Sequence, residues 1–270
     1  MGAALHMVAG AAASGTAGAT VNFTAGSGDS FAVRNFAATD WATLEQAIGQ
    51  YSRGGDTLRI ISPMFHDDVQ GIRLIVPSTS PEGLLPLEIS QKVLPQDTLV
   101  PALVQASAEG ASVNQVAALG FYYSNLPTVN SRLRNPGDVS GIIKTVHTVV
   151  VPVAIGATAG NWASASIDSA LSIWHANTDY AVLGWITDTA VCAIAVRGDD
   201  TNNLRCGGPG VLDPFQTRNW FLDASVRTGQ PHVPIINSAN KDATFVDVVT
   251  NAVTGTVNVC LFLAELSTTA

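Results

Sequence analysis

Hydrophobic positions along the chain fall into short runs rich in Val, Ile, Leu and aromatic residues. The runs are bounded by Gly, Pro, Asn, Asp and Ser. Such punctuation predicts strands joined by turns. Strands are expected near Val21–Phe23, Phe31–Phe36, Leu58–Ser62, Gly71–Val76, Leu87–Ser90, Leu99–Gln105 and Gln115–Tyr123. A second set is expected near Thr148–Ala154, Ala181–Ile186, Cys192–Arg197, Asn219–Val226, Val233–Ile236, Phe245–Val249 and Val257–Ala264. Two stretches carry a helical pattern instead: Asp40–Thr57 and Ala165–Asp179, each with an acidic or Ser start and a Gly or Asn stop. Met1–Thr20 is rich in Gly, Ala and Ser and holds no Lys, Arg, Asp or Glu, so it reads as a flexible N-terminal arm, and neither a basic start nor a continuous apolar core marks it as a signal peptide. The fold class that follows is all-β: two tandem β-sandwich or jelly-roll-like domains, each with one short helix.

The strand pattern repeats at long period. LRIISPMFHDDVQGIRLIVP from Leu58 lies against YAVLGWITDTAVCAIAVRGD from Tyr180 without a gap. Upstream, the two expected helices face each other. Downstream, Pro95-Gln96-Asp97-Thr98 faces Pro214-Phe215-Gln216-Thr217, and Leu126 near the end of one unit faces Leu266 near the end of the other. A doubled unit is the economical explanation. The join is expected near Arg132–Ser140, where Pro136-Gly137 interrupts any regular element. The expected division is an arm over 1–20, a first sandwich over 21–135 and a second over 136–270.

Composition changes the picture in one respect. The chain of 270 residues is 47% hydrophobic and only 13% charged, against about 25% charged in an average soluble domain. Little charge is available to solvate a large exterior, which points to surface covered by other subunits. The net charge is −8, with Lys92, Lys144 and Lys241 the only lysines. Without a basic stripe, direct binding to nucleic acid or to an anionic membrane is disfavoured. No run is long and apolar enough for a membrane-spanning helix.

Candidate chemistry is sparse. Cys192, Cys206 and Cys260 are odd in number and form no CxxC, so they read as small buried residues. His66-Asp67-Asp68 could offer ligands to a cation but reads first as a polar turn. Asp199-Asp200-Thr201-Asn202-Asn203 lacks the continuation of a calcium loop, and Gly207-Gly208-Pro209-Gly210 lacks the Lys-Ser/Thr of a phosphate loop. Gly26-Ser27-Gly28-Asp29-Ser30 is not a nucleophile elbow. His6, His66, His147, His175 and His232 are scattered, and no HExxH occurs. Phe121, Tyr122, Tyr123, Trp162, Trp174, Trp185, Trp220 and Phe221 read as core, with sugar stacking as their functional alternative. No catalytic, cofactor-binding or metal site is assigned, and no cofactor is expected.

The duplicated blocks at Leu58–Pro77 and Tyr180–Asp199, with the paired blocks at Pro95 and Pro214, give an arrangement that resembles viral coat proteins of the tandem jelly-roll kind. The resemblance is architectural, spans about Val21 to Leu266, and rests on no specific motif. It implies a virion structural protein, a capsid coat or a capsid-associated decoration protein of a virus or phage. It also implies assembly with copies of itself, as a homotrimer presenting six similar sides or a larger body. Two other classes fit the sequence: a sandwich module that binds carbohydrate or a receptor, and an enzyme with its site between the lobes.

Overall fold

A computed structural model describes residues 2–13, 16–34, 36, 42–50, 56–63, 65, 69–75, 91–93, 98–104, 114–126, 131–168, 174–210 and 214–267. The first half contains β1 (Gly2–Ala13), β2 (Thr20–Asn22), β3 (Thr24–Ala25), β4 (Ala42–Gln50), β5 (Thr57–Ile61), β6 (Ile72–Ile75), β7 (Gln91–Val93), β8 (Val100–Val104) and β9 (Asn114–Leu126). After β10 (Leu133–Arg134) and α1 (Pro136–Ser140) come β11 (Ile143–Ile155), β12 (Ala163–Ser166), β13 (Asp179–Thr187), β14 (Val191–Arg197) and β15 (Cys206–Gly210). Then follow α2 (Pro214–Thr217), α3 (Trp220–Thr228), β16 (Val233–Asn237), β17 (Phe245–Val249) and β18 (Gly255–Leu266).

These strands form four antiparallel sheets. In the first lobe, β3-β1-β9-β4-β7 faces β2-β8-β5-β6. In the second, β10-β16-β13-β18-β11 faces β12-β17-β14-β15. Set aside the short β3 and β10, and number the eight strands left in each lobe from first to last. Both lobes then read 1-8-3-6 in one sheet and 2-7-4-5 in the other. This is the jelly-roll winding, and it occurs twice in tandem.

The two lobes also share irregularities of register. The register of β1 on β9 shifts between Gly2 and Ala4, and that of β11 on β18 between Ile143 and Thr145. The register of β4 on β9 shifts between Leu44 and Gln46, and that of β13 on β18 between Val182 and Gly184. The second pair is the same bulge, with the extra residue, Glu45 or Leu183, on the third strand of each lobe; at the first strand the extra residue falls on β9 in one lobe and on β11 in the other. Bulges tend to persist within related folds, so the shared third-strand bulge ties the lobes together beyond strand order. Gly2 pairs with Leu126 and Ile143 pairs with Leu266, so the expected correspondence of Leu126 with Leu266 holds.

The four sheets succeed one another as layers. Phe31, Leu44, Leu58, Ile60, Leu119 and Phe121 fill the first lobe. Tyr180, Trp185, Ile194, Phe221, Val259 and Leu261 lie among those filling the second. A third cluster lies between the lobes. The middle layers are therefore covered on both faces. All nine residues of β4 and all five of β15 are buried. In β11, by contrast, Val149, Val151 and Val153 point inward while Thr148, Val150 and Pro152 are exposed.

Several expectations are corrected. Gly2–Ala13 is not a flexible arm but β1, paired with β9 along nearly its whole length. Small side chains suit it to a position where both faces are packed. Within Asp40–Thr57 the described Ala42–Gln50 is not a helix but β4, while 40, 41 and 51–55 lie outside the described residues. In Ala165–Asp179 the described residues include the end of β12 and the start of β13, while 169–173 lie outside the described residues. Asn219–Val226 is not a strand. It belongs to α3, whose Trp220, Phe221, Ala224 and Ser225 form one buried face and which ends on Gly229 at φ +70°. Gly207-Gly208-Pro209-Gly210 is not a loop but most of β15. A Cβ on Gly208 would lie 2.1 Å from Nε1 of Trp220, so only glycine lets the indole seat against this strand. Phe31–Phe36 contributes only an isolated bridge from Ala32 to Thr98 among its described residues, and Leu87–Ser90 lies outside them.

Candidate functional site

Two places concentrate side chains whose chemistry exceeds packing: the contact between the lobes and one end of the second sandwich.

The lobe contact begins with small residues. Met7, Ala9, Val116, Ala118 and Ile48 from the first lobe meet Ala159, Cys192, Ala193 and Val249 from the second. Alternation in β9 explains the division of labour: Ala117, Leu119 and Phe121 enter the first core, while Val116 and Ala118 face the other lobe. Short side chains let the sheets approach closely, so side-chain amides reach across. Gln46 Nε2 donates to the Gly207 carbonyl at 3.1 Å, and Gln50 Nε2 donates to that of Ala190 at 3.0 Å. The Asn251 amide donates back to Gln50 Oε1 at 3.0 Å. Burial pushes the Cys206 thiol up to about 12 and the Cys192 thiol higher still, so neither is a ready nucleophile.

Charged pairs pin the same contact. Arg205 Nη1 lies 2.6 Å from Asp29 Oδ1, and Trp162 Nε1 donates to Asp29 Oδ2 at 2.8 Å. The Arg205 guanidinium also sits over the Trp162 ring and reaches Asp247 at 2.9 Å, where Arg197 joins at 2.8 Å. At the other side, His232 Nε2 is 2.6 Å from Glu45 Oε2, and its ring stacks on Tyr122 with centroids 5.0 Å apart. Burial, then the Glu45 charge, keep the Tyr122 phenol protonated. The connection from β14 to β15 completes the joint. Its Leu204 is buried in the core of the first lobe. Its Arg205 carbonyl accepts from the Met7 amide at 3.0 Å, and its Arg205 amide donates to His6 Nδ1 at 3.3 Å.

The end of the second sandwich is built around Glu265, whose side chain is 2% exposed. Lys144 Nζ donates to Oε1 at 2.8 Å, and His147 Nε2 and His175 Nδ1 lie 3.1 and 3.0 Å from Oε2. The Lys144 hydrogen bond is the largest influence on the carboxyl. Burial opposes it, the two imidazoles reinforce it, and together they hold the group at about 2. Tyr180 and Trp174 wall the cluster, with the Tyr180 hydroxyl accepting from the His175 amide at 3.1 Å. Both carboxylate oxygens are thus engaged, while Lys144 and His175 remain half exposed or more at the rim.

Of the residues singled out in the sequence, His147 and His175 meet at Glu265, His6 lies at the lobe joint, and His232 crosses it. Glu265 and Lys144 carried no sequence signal, because their partners are far away along the chain. Asp200 is structural: it pairs with Arg132, accepts from the Asn237 amide at 2.9 Å and from Asn240 at 3.1 Å. Trp185, Trp220, Phe221, Phe121, Tyr122 and Tyr123 are core residues, while Trp162 and Trp174 are partly buried. His66, Asp67 and Asp68 lie outside the described residues. Among the described residues, no group of His, Cys, Asp and Glu is arranged to hold a metal ion, and no helix is long and apolar enough to cross a membrane. The class defined so far is a tandem jelly-roll protein with a tightly keyed lobe joint. No known protein-family model and no curated protein matches the chain.

Proposed function

We propose that the chain is a virion structural protein, a coat or capsid-associated subunit, that works by assembling with copies of itself as a homotrimer or larger ring. The observation that carries the reading is the lobe contact inside one chain. There the outer face of the sheet β3-β1-β9-β4-β7 is covered by the sheet β12-β17-β14-β15 of the other lobe. The matching outer face of the second lobe, on β11 and β18, is left uncovered by the described residues. Val146 and Val150 are 47% and 54% exposed on it. Cys260 and Phe262, which face Val150 and Thr148 across the ladder, are only partly buried.

A joint between unlike faces is heterologous. Repeated from chain to chain, it either closes a ring or continues as a filament. Two like-wound lobes per chain give such a ring twice as many similar sides as it has chains. The low charge content fits an exterior that sister chains cover, and the net charge of −8 argues against direct binding of nucleic acid.

Light scattering on a sizing column, followed by negative-stain microscopy of the same fractions, tests the reading. Rings, trimers or shells are the expected result. A monomer that persists at the highest attainable concentration overturns it.

A further inference from the structure

The structure assigns a face-to-face contact between two copies of this chain: the outer face of β11 and β18 in the second lobe of one copy seats on the outer face of β5, β6 and β8 in the first lobe of the next, with Phe262 against Arg59 and Arg73. This inference rests on the assembly reading above and names the surfaces and side chains that meet.

The bulge shared by β4 and β13 fixes the register between the lobes. Leu44 and Gln46 flank it opposite Phe121 and Gly120, while Val182 and Gly184 flank it opposite Leu263 and Phe262. His6 faces Phe121 and His147 faces Leu263, so the two histidines occupy one position in the two lobes. Three residues further along, Ala9, Ala118 and Ile48 form a row across the first lobe, and Val150, Cys260 and Ile186 form the same row in the second. The first row is buried in the lobe joint. The second is open: Val150 is 54% exposed, Val146 on the same side is 47% exposed, and Cys260 and Ile186 are only partly buried.

The other half of the joint has a counterpart as well. β8 and β17 are equally long, and β5 and β14 pair with them over their whole length: residues 57–61 against 104–100, and 193–197 against 249–245. Thr57 and Val104 therefore stand where Ala193 and Val249 stand, and those two are buried in the lobe joint. By the same register Arg59 takes the place of Ala195, and Arg73 the place of Gly207. Thr57 and Val104 are only partly buried, and Val100 on the same face is 38% exposed. A single chain thus makes this joint once, between its lobes, and carries each half of it again, unmatched by the described residues, on its two outermost sheets.

The chemistry at the centre differs between the two contacts. Between the lobes, Gln46 lies over Gly120 and donates to the Gly207 carbonyl, beside Ala195. On the unmatched faces Gly120 is replaced by Phe262, and Ala195 and Gly207 by Arg59 and Arg73. The two arginines stand directly opposite each other across β5 and β6, an arrangement that like charges disfavour. Neither pairs with a carboxylate among the described residues. Arg73 donates to the carbonyl and side-chain oxygens of Gln70, and Arg59 Nε is buried without an acceptor. The partly exposed ring of Phe262 gives a guanidinium a π face to stack on. Arg197 over Phe245, Arg205 over Trp162 and Arg227 over Trp220 already make that contact within the chain. An amide-to-carbonyl key between the lobes is thus exchanged for an arginine-on-ring key between chains.

The experiment uses the full chain. Arg73→Glu spoils one face and Val150→Asp the other, and both positions are exposed. Far-UV circular dichroism confirms that each variant is folded; Val100→Asp and Val146→Asp, on the same two faces, replace a variant that is not. Analytical ultracentrifugation follows the native chain, each variant alone and their equimolar mixture. Self-association about tenfold weaker or more is expected for each folded variant alone, because every contact then includes a spoiled face. In the mixture, the intact β11–β18 face of the Arg73→Glu chain meets the intact β5–β6 face of the Val150→Asp chain, and a one-to-one heterodimer that grows no further is expected. If the native chain assembles but the folded variants assemble equally well, or if their mixture does not pair, this contact is wrong while the assembly reading stands. If the native chain does not assemble, both fall.

Discussion

His6 and His147 stand at the same point of two like-wound sandwiches and live in opposite surroundings. Each lies two residues beyond the register shift near the start of its lobe's first strand. His6 is 2% exposed beneath Arg205, whereas His147 shares a carboxylate with His175 at an open end of the other lobe. One position thus serves a closed joint in one lobe and an exposed rim in the other.

That difference predicts an acid response in two stages. Burial, then the charges of Arg34 and Arg205, hold the His6 imidazole well below 6.5. Below that pH the unfolded chain takes up a proton that the folded chain refuses, so stability falls as pH drops. Glu265 is depressed from 4.5 to about 2, so its contribution is complete above 4.5 and is lost as pH falls toward 2. Urea midpoints measured from about pH 7.5 to about pH 5.5 should decline for the native chain and decline less for His6→Asn. Glu265→Gln should remove the part of the loss that falls between 4.5 and 2.

The lobe joint should be sensitive to Asp29. Its carboxylate takes Arg205 on one oxygen and, on the other, Trp162 Nε1 and the Ala9 amide, each at 2.8 Å. Asp29→Ala leaves the buried guanidinium and two donors short of an acceptor. A loss of about 3 kcal/mol is expected, because breaking one side of a buried pair strands the other. Equilibrium denaturation measures it, and an unchanged midpoint would contradict the role given to this pair.

Gly208 should not accept a side chain. Its would-be Cβ lies 2.1 Å from Trp220 Nε1, so Gly208→Ala should cost about 3 kcal/mol through overpacking. Trp220→Phe shortens the ring at the point of conflict. The double variant should therefore be more stable than the sum of the two single losses implies, which a double-mutant cycle reads directly.

Thiol counting offers a simple check of the layers. Cys192 and Cys206 are buried within the sheets, and Cys260 sits partly exposed on the outer face of β18. A thiol reagent should titrate one cysteine in the native monomeric chain and three after unfolding. Two fast-reacting native thiols would mean that the lobe joint opens.

Where the sequence pattern was readable, the strands border a layer with one wet face or carry long branched side chains. β5, β11 and β18 show alternating or Val-rich runs, and their positions follow from that period. The misreadings have a shared cause. β1 and β4 lie in a layer packed on both faces, so their Ala, Gly, Gln and Glu residues show no alternation. Reading Ala42–Gln50 as a helix removed one strand from the first lobe. The comparison of Leu58 with Tyr180 then set the fourth strand of one sandwich against the third of the other. It came back into step only at the last strand, where Leu126 and Leu266 do correspond. α3 was missed because Trp, Phe and Val favour strands in isolation, while its packing against β13 is a tertiary matter. The Glu265 cluster draws on residues 144, 147, 175 and 265, and no local spacing announces a meeting across that distance.

In each lobe the opening and closing strands are hydrogen-bonded neighbours, β1 with β9 and β11 with β18. The polypeptide therefore departs from a lobe beside the spot where it arrived. Whole modules can be strung end to end, or trimmed to one, without rethreading any backbone. A gene that copied itself in frame would need only a short bridge, such as residues 127–142, to give both halves a workable geometry at once.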